Sequence, residues 1–147
     1  MEENMSADFE LHSQLAADTA EVMELPLSKL LLMNDSNYPW FILVPKRANI
    51  SEVYQLDWED QMQLLNESSM LTELLQQEFN GDKMNVAALG NMVPQLHVHH
   101  IVRFKNDVAW PKPVWGLVDA KPYTDSELTQ IVMRVTEQLD AILKNDS

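Results

Sequence analysis

Gln95-Leu96-His97-Val98-His99-His100-Ile101 gathers three of the chain's four histidines into one short alternating run. In an extended strand successive side chains point to opposite faces, so Gln95, His97 and His99 share one face while Leu96, Val98 and His100 share the other. Alternate residues stand roughly 6–7 Å apart along a strand, close enough for two rings to address one phosphate-sized group. A neutral imidazole is a nucleophile and a protonated one is a general acid, so neighbouring histidines can divide attack from proton transfer. His97 and His99 are therefore the first candidates for chemistry. His12, near the N-terminus, is expected to be structural or exposed, and His100, on the opposite face, to be structural or a support of the site.

A zinc site is the competing reading. His97, His99 and His100 are metal-ligating side chains, but positions i and i+2 of a strand need further ligands from elsewhere. The chain has no cysteine and no second histidine cluster to supply them. Phosphate chemistry is the preferred reading, and no metal is expected.

Upstream, Leu30-Leu31-Leu32-Met33-Asn34 and Trp40-Phe41-Ile42-Leu43-Val44-Pro45-Lys46-Arg47 read as two core strands joined by the turn formers Asp35-Ser36-Asn37-Tyr38-Pro39. This ordered set, closing on Asn91-Met92-Val93-Pro94-Gln95-Leu96-His97-Val98-His99, resembles the histidine triad (HIT) superfamily of nucleotide hydrolases and transferases in its bacterial type. The family pattern is His-φ-His-φ-His-φ-φ, with φ apolar. His97 and His99 match its second and third histidines, and Leu96, Val98 and Ile101 match apolar positions. Gln95 replaces the first histidine and His100 an apolar residue. The resemblance covers about residues 8 to 115.

The resemblance implies that His97 attacks the α-phosphorus of a nucleoside phosphoramidate or dinucleoside polyphosphate, forming a nucleotidyl-histidine that water then hydrolyses, with no cofactor required. His99 then contacts the phosphate and Asn34 the ribose hydroxyls, while Asn85 and Asn91 meet the phosphate or leaving-group side. Asn91 stands where many members carry Gln. Trp40 stands where many place another histidine, so a polar support is expected to be missing or replaced by aromatic packing. In the family the backbone carbonyl of the first triad position orients the nucleophile, and at Gln95 that carbonyl survives. Gln also donates and accepts hydrogen bonds but carries no charge, so an altered leaving-group preference or rate is expected rather than an inert site. A purine nucleotide, most typically adenine, and a homodimer are implied in the same way.

Composition bounds these expectations. The 147 residues, 46% of them hydrophobic, suit one domain spanning 1–147 with a real core. A formal net charge of −13 argues against nucleic-acid or anionic-membrane partners, both of which need clustered Lys and Arg. Met1-Glu2-Glu3-Asn4 lacks a signal-peptide pattern and no run reaches transmembrane length, so a cytoplasmic location is expected. Lys46-Arg47, Arg103 and Lys105 fall at strand ends, where they either offset the acidic field locally or are simply solvated.

The fold class reads as α+β: a mostly antiparallel sheet of about five strands, a long helix after the core hairpin and a C-terminal helix. Residues 8 to about 20 are predicted helical, with strands over 29–33, 40–45, 84–89 and 96–104. Asp57 is predicted to cap the long helix, with apolar positions Trp58, Met62, Leu65, Leu71, Leu74, Leu75 and Phe79, and Asn80-Gly81-Asp82 to stop it. Thr124 and Glu127 have capping-box spacing ahead of a helix over about 124–145, whose stripe from Leu128 to Leu143 serves a core or a dimer contact. The stiff loop Trp110-Pro111-Lys112-Pro113-Val114-Trp115 is expected near the mouth of the site, with Trp110 as a support. Two other function classes stay open: a nucleotide-binding module without turnover, suggested by Gln95 and Trp40, and an acidic interaction protein with structural histidines.

Overall fold

The computed structural model describes residues 8–145, so the expectation drawn from Met1-Glu2-Glu3-Asn4 lies outside it. The elements run α1 (Ser13–Asp18), β1 (Thr19–Glu24), β2 (Ser28–Met33), β3 (Trp40–Pro45), a 3-10 turn (Val53–Gln55), α2 (Trp58–Phe79), β4 (Lys83–Ala87), β5 (Val98–Arg103) and α3 (Asp125–Asn145). The strands form one five-stranded antiparallel sheet in the order β1-β2-β3-β5-β4. This is the α+β class predicted from sequence. Among the described residues no helix is long and apolar enough to cross a membrane.

The apolar runs of β2 and β3 are continuous because both faces of the sheet are covered. On one face Leu30, Leu32, Phe41, Leu43, Val98 and Val102 meet Leu64, Leu71 and Leu75 of α2 and Val135 and Leu139 of α3. On the other, Leu31, Trp40, Ile42, Val44 and Ile101 pack with Leu15, Tyr38, Val93, Ala109 and Val114. Period-two alternation thus sends neighbouring residues of one strand to different cores. In β5 that rule puts His99 on the second face and His100 on the first; His97 directly precedes the strand, which begins at Val98 rather than at the predicted 96.

Three expectations about elements need correction. Only Ser13–Asp18 of the predicted N-terminal helix is helical, and the chain continues as the edge strand β1. The helix stops where Thr19 turns extended and its hydroxyl donates back to the Leu15 carbonyl at 2.6 Å. The register shift between Glu21 and Met23 blurs the alternation that would have marked β1. In α2 the cap is Asp57 as expected, accepting from Asp60 N–H at 2.8 Å, but Trp58, Met62 and Leu65 are exposed at 74%, 45% and 60%. They form a second arc, because the buried one runs through Leu64, Glu67, Leu71, Leu74 and Leu75. Glu67 sits on it because its Oε2 accepts from Leu27 N–H at 2.8 Å, tying α2 to the β1–β2 turn. β4 ends at Ala87, short of the predicted 89, where the chain leaves the sheet to form one wall of the cavity described below.

At the C-terminus Thr124 N–H donates to Glu127 Oε1 at 2.9 Å and Glu127 N–H to Thr124 Oγ1 at 3.2 Å, completing the predicted capping box. The α3 stripe is used for the core rather than left free.

After α2, Asn80 takes the left-handed conformation (φ 53°) and Gly81 runs directly against the Val102 side chain. A Cβ at Gly81 would overlap Val102 Cγ1, so β5 would have to shift. Gly81→Ala is expected to lower stability by about 1–3 kcal/mol, the usual cost of overpacking, read as a lower urea midpoint. An unchanged midpoint would show that this approach is not tight.

Candidate active site

His97 and His99 line one cavity of about 690 Å³ with Trp40, Trp115, Asn91 and His12. A second recess of about 430 Å³, lined by Asn34 and Asp35, shares Asp18, Met33, Trp40 and Trp115 with it. The two histidine rings lie 4.8 Å apart centre to centre, edge to face.

Their hydrogen bonds fix opposite tautomers. His97 Nδ1 lies 2.7 Å from the Gln95 carbonyl, which can only accept, so the proton sits on Nδ1 and Nε2 keeps its lone pair. His99 Nδ1 lies 3.0 Å from Trp40 Nε1, which can only donate, so His99 carries its proton on Nε2. One ring offers a nucleophilic nitrogen and its neighbour an N–H donor. Burial, with smaller contributions from His97 and His100, lowers the His99 pKa from 6.5 to about 3, so this ring stays neutral near pH 7. Trp40 therefore replaces the expected missing support with an indole N–H, besides packing against His99 at 5.7 Å. Trp115 closes the same ring from another side at 5.1 Å.

The other sequence candidates divide. Asn91 lines the cavity. Asn34 lines the adjoining recess, and its Oδ1 accepts from Tyr123 N–H at 2.9 Å, leaving its amide nitrogen as donor. Asn85 is not brought to the cavity, because its Oδ1 accepts from Arg103 at 2.9 Å. His100 is fully buried on the opposite face, where its Nδ1–H donates to the Val98 carbonyl and its Nε2 accepts from Ser68 at 2.7 Å. Trp110 stacks over the Arg103 guanidinium at 5.6 Å instead of reaching the cavity. The loop does contribute, but through Trp115.

Lys46 pairs with Glu24, Arg47 with Asp60 and the buried Arg103 with Asp107, and among the described residues no lysine or arginine lines the cavity. Among the described residues no group of three or more His, Cys, Asp or Glu side chains is arranged to hold a metal ion.

The HIT domain model matches residues 14–106. The chain belongs to the HIT family. A histidine triad protein from Marinobacter aquaeolei is similar at 52% identity and a TM-score of 0.88, covering 90% of this chain and 97% of that one. One from Bradyrhizobium japonicum is 43% identical with a TM-score of 0.86, covering 88% and 96%. One from Sinorhizobium meliloti is 40% identical with a TM-score of 0.88, covering 90% and 98%. No curated protein matches the chain. HIT proteins are generally nucleotide hydrolases or transferases.

Sequence reasoning points to the Trp110–Trp115 loop but to Trp110 rather than Trp115 within it, and it does not single out His12 as a cavity residue. Nothing in the alternation of the Trp110–Trp115 loop distinguishes its two tryptophans. His12 carried a weak signal, since histidine just before a short helical segment can act as a cap, and its Nδ1 does accept from Gln14 N–H at 3.0 Å.

Both buried β5 histidines burden the fold in acid. Burial lowers His100 to about 4, against a partial offset from its bond to Val98, and His99 to about 3. Unfolded, each takes up a proton near pH 6.5, so the unfolded state binds more protons as pH falls. Stability is complete above about pH 6.5 and is lost as pH falls toward the folded values, by about 2 kcal/mol per histidine between 6.5 and 5. Urea unfolding at a series of pH values is expected to show that decline, and a flat profile from 6.5 to 5 would contradict it.

Proposed function

We propose that this HIT protein hydrolyses the phosphorus–nitrogen or phosphoanhydride bond next to a nucleoside monophosphate through a covalent His97 intermediate. The observation that carries the reading is the pair of opposite tautomers in one cavity, a lone pair on His97 Nε2 beside an N–H on His99 Nε2. The Nε2 lone pair forms a bond to the α-phosphorus while the bond to the leaving nitrogen or oxygen breaks, its electron pair departing with the leaving group, which gains a proton. Water then attacks the phosphorus and loses a proton, the N–P bond electrons return to Nε2, and the nucleoside monophosphate is released.

The positive charge that develops on the His97 ring in the intermediate is met by the Gln95 carbonyl at Nδ1. His99 Nε2–H and the Asn91 amide serve the phosphoryl oxygens, as donors set before the reaction starts. The Asn34 amide serves the ribose, and the Trp40 and Trp115 end of the cavity takes the purine, for which adenine is the first choice. No metal or other cofactor enters this scheme, and a cytoplasmic location suits it.

A homodimer completes the proposal. Trp58, Met62 and Leu65 of α2 are exposed, as is Val86 on the edge strand β4. A second copy seated there would cover these groups and extend the sheet from its open edge. Trp58→Glu is expected to convert a dimer to a monomer in sedimentation, and an unchanged mass would remove this face from consideration.

Wild type and His97→Ala, mixed with an adenosine phosphoramidate and a diadenosine polyphosphate, test the chemistry. Wild type is expected to release AMP and to show an acid-labile nucleotidyl adduct by intact mass, and His97→Ala to lose about a thousandfold or more in turnover. AMP binding by both with no turnover by either would favour the nucleotide-binding module.

A further inference from the structure

We propose that His12 is a substrate-contacting residue that hydrogen-bonds phosphate oxygens of the leaving group, an inference that rests on the function proposed above. His12 lines the same cavity as His97 and His99, although it comes from the opposite end of the chain. Its placement is enforced by Gln95. The Gln95 Oε1 accepts from His12 N–H at 2.9 Å, and its Nε2 donates to the Glu10 carbonyl at 2.8 Å. The carbonyl of the same residue holds His97 Nδ1. One glutamine therefore registers the N-terminal segment and the nucleophilic ring against each other, and its side chain reaches away to residues 10–12 instead of entering the chemistry.

The His12 ring is oriented as a donor. Its Nδ1 accepts from Gln14 N–H at 3.0 Å, so the neutral ring carries its proton on Nε2. Such a donor matters here, because among the described residues no lysine or arginine lines the cavity, and N–H groups are left to meet anionic oxygens.

Position along the N-terminal segment assigns the ring to one end. The Asp18 carbonyl at the far end of α1 accepts from Asn34 N–H at 3.0 Å, while His12 at the near end donates its backbone N–H to Gln95, whose carbonyl holds His97. With the nucleoside at the tryptophan end, beside the recess lined by Asn34, His12 faces what is attached beyond the α-phosphorus. A phosphate there presents acceptor oxygens to Nε2–H, which a simple amine does not.

The test compares AMP with ADP, which differ only by a phosphate on that side, by calorimetry in His97→Ala to prevent turnover. His12→Ser is added because serine keeps a side-chain acceptor for the cap but cannot reach the cavity as the ring does. His12→Asn is run beside it as a second capping residue, and thermal unfolding checks that each variant folds. The expected result is a loss of about tenfold in ADP affinity with AMP affinity within about twofold, the scale of one hydrogen bond to a charged group. Equal losses for both nucleotides, or none for either, would overturn the inference and leave the proposed function standing. Failure of wild type and His97→Ala to bind any nucleotide would overturn both together.

Discussion

The 2.7 Å hydrogen bond from His97 Nδ1–H to the Gln95 carbonyl is the contact on which the rest of the site depends. A backbone carbonyl has no donor form, so it leaves the imidazole no choice of tautomer and directs the lone pair to the cavity. It also makes the side chain at position 95 free to change. A substitution that replaces a titratable ring with an amide at this position alters what the side chain holds without altering what orients the nucleophile. In this chain the amide holds the N-terminal segment.

A second constraint acts on β5, the strand that follows His97 directly and carries His99 and His100. β5 is buried on both faces, so each residue must satisfy one of two cores, and polar rings there need partners. His99 takes Trp40, and His100 takes Ser68 and Val98. Both are held neutral by desolvation, which keeps them from adding charge to the interior. The neutrality is useful in a chain of net charge −13, because N–H groups set in place attract phosphoryl oxygens without the desolvation cost of a buried ion.

Much of the fold was legible because it is written in periods that sequence shows directly. β3 was read with its observed bounds, since a doubly buried strand leaves an unbroken apolar run between turn formers. The caps of α2 and α3 were legible because Asp57 and Thr124 act through local hydrogen bonds. β1 was not, because an edge strand with a register shift has only a weak alternation and follows a genuine helical turn without a breaker. The α2 stripe was misread in its first half for a different reason: two apolar arcs satisfy helical spacing, and only packing against the sheet selects Leu64 over Trp58.

The site divides along the same line. Alternation in an extended run sets His97 and His99 side by side, and their rings do lie 4.8 Å apart, although β5 itself begins only at Val98. Trp115 and His12 reach the cavity from loops, by contacts across long stretches of chain that no local period encodes. Asn85 illustrates the converse. It lies opposite Ile101 in the sheet, on the face that carries His99, yet Arg103 claims its oxygen as part of a buried cluster with Asp107. A guanidinium that is 1% exposed needs acceptors for its N–H groups, and leaving one unpaired would cost more than a neighbouring amide gains by facing solvent. The demand of Arg103 therefore overrides the register that would otherwise present Asn85 to a ligand, and the polar lining of the cavity falls to residues reaching it from outside the sheet.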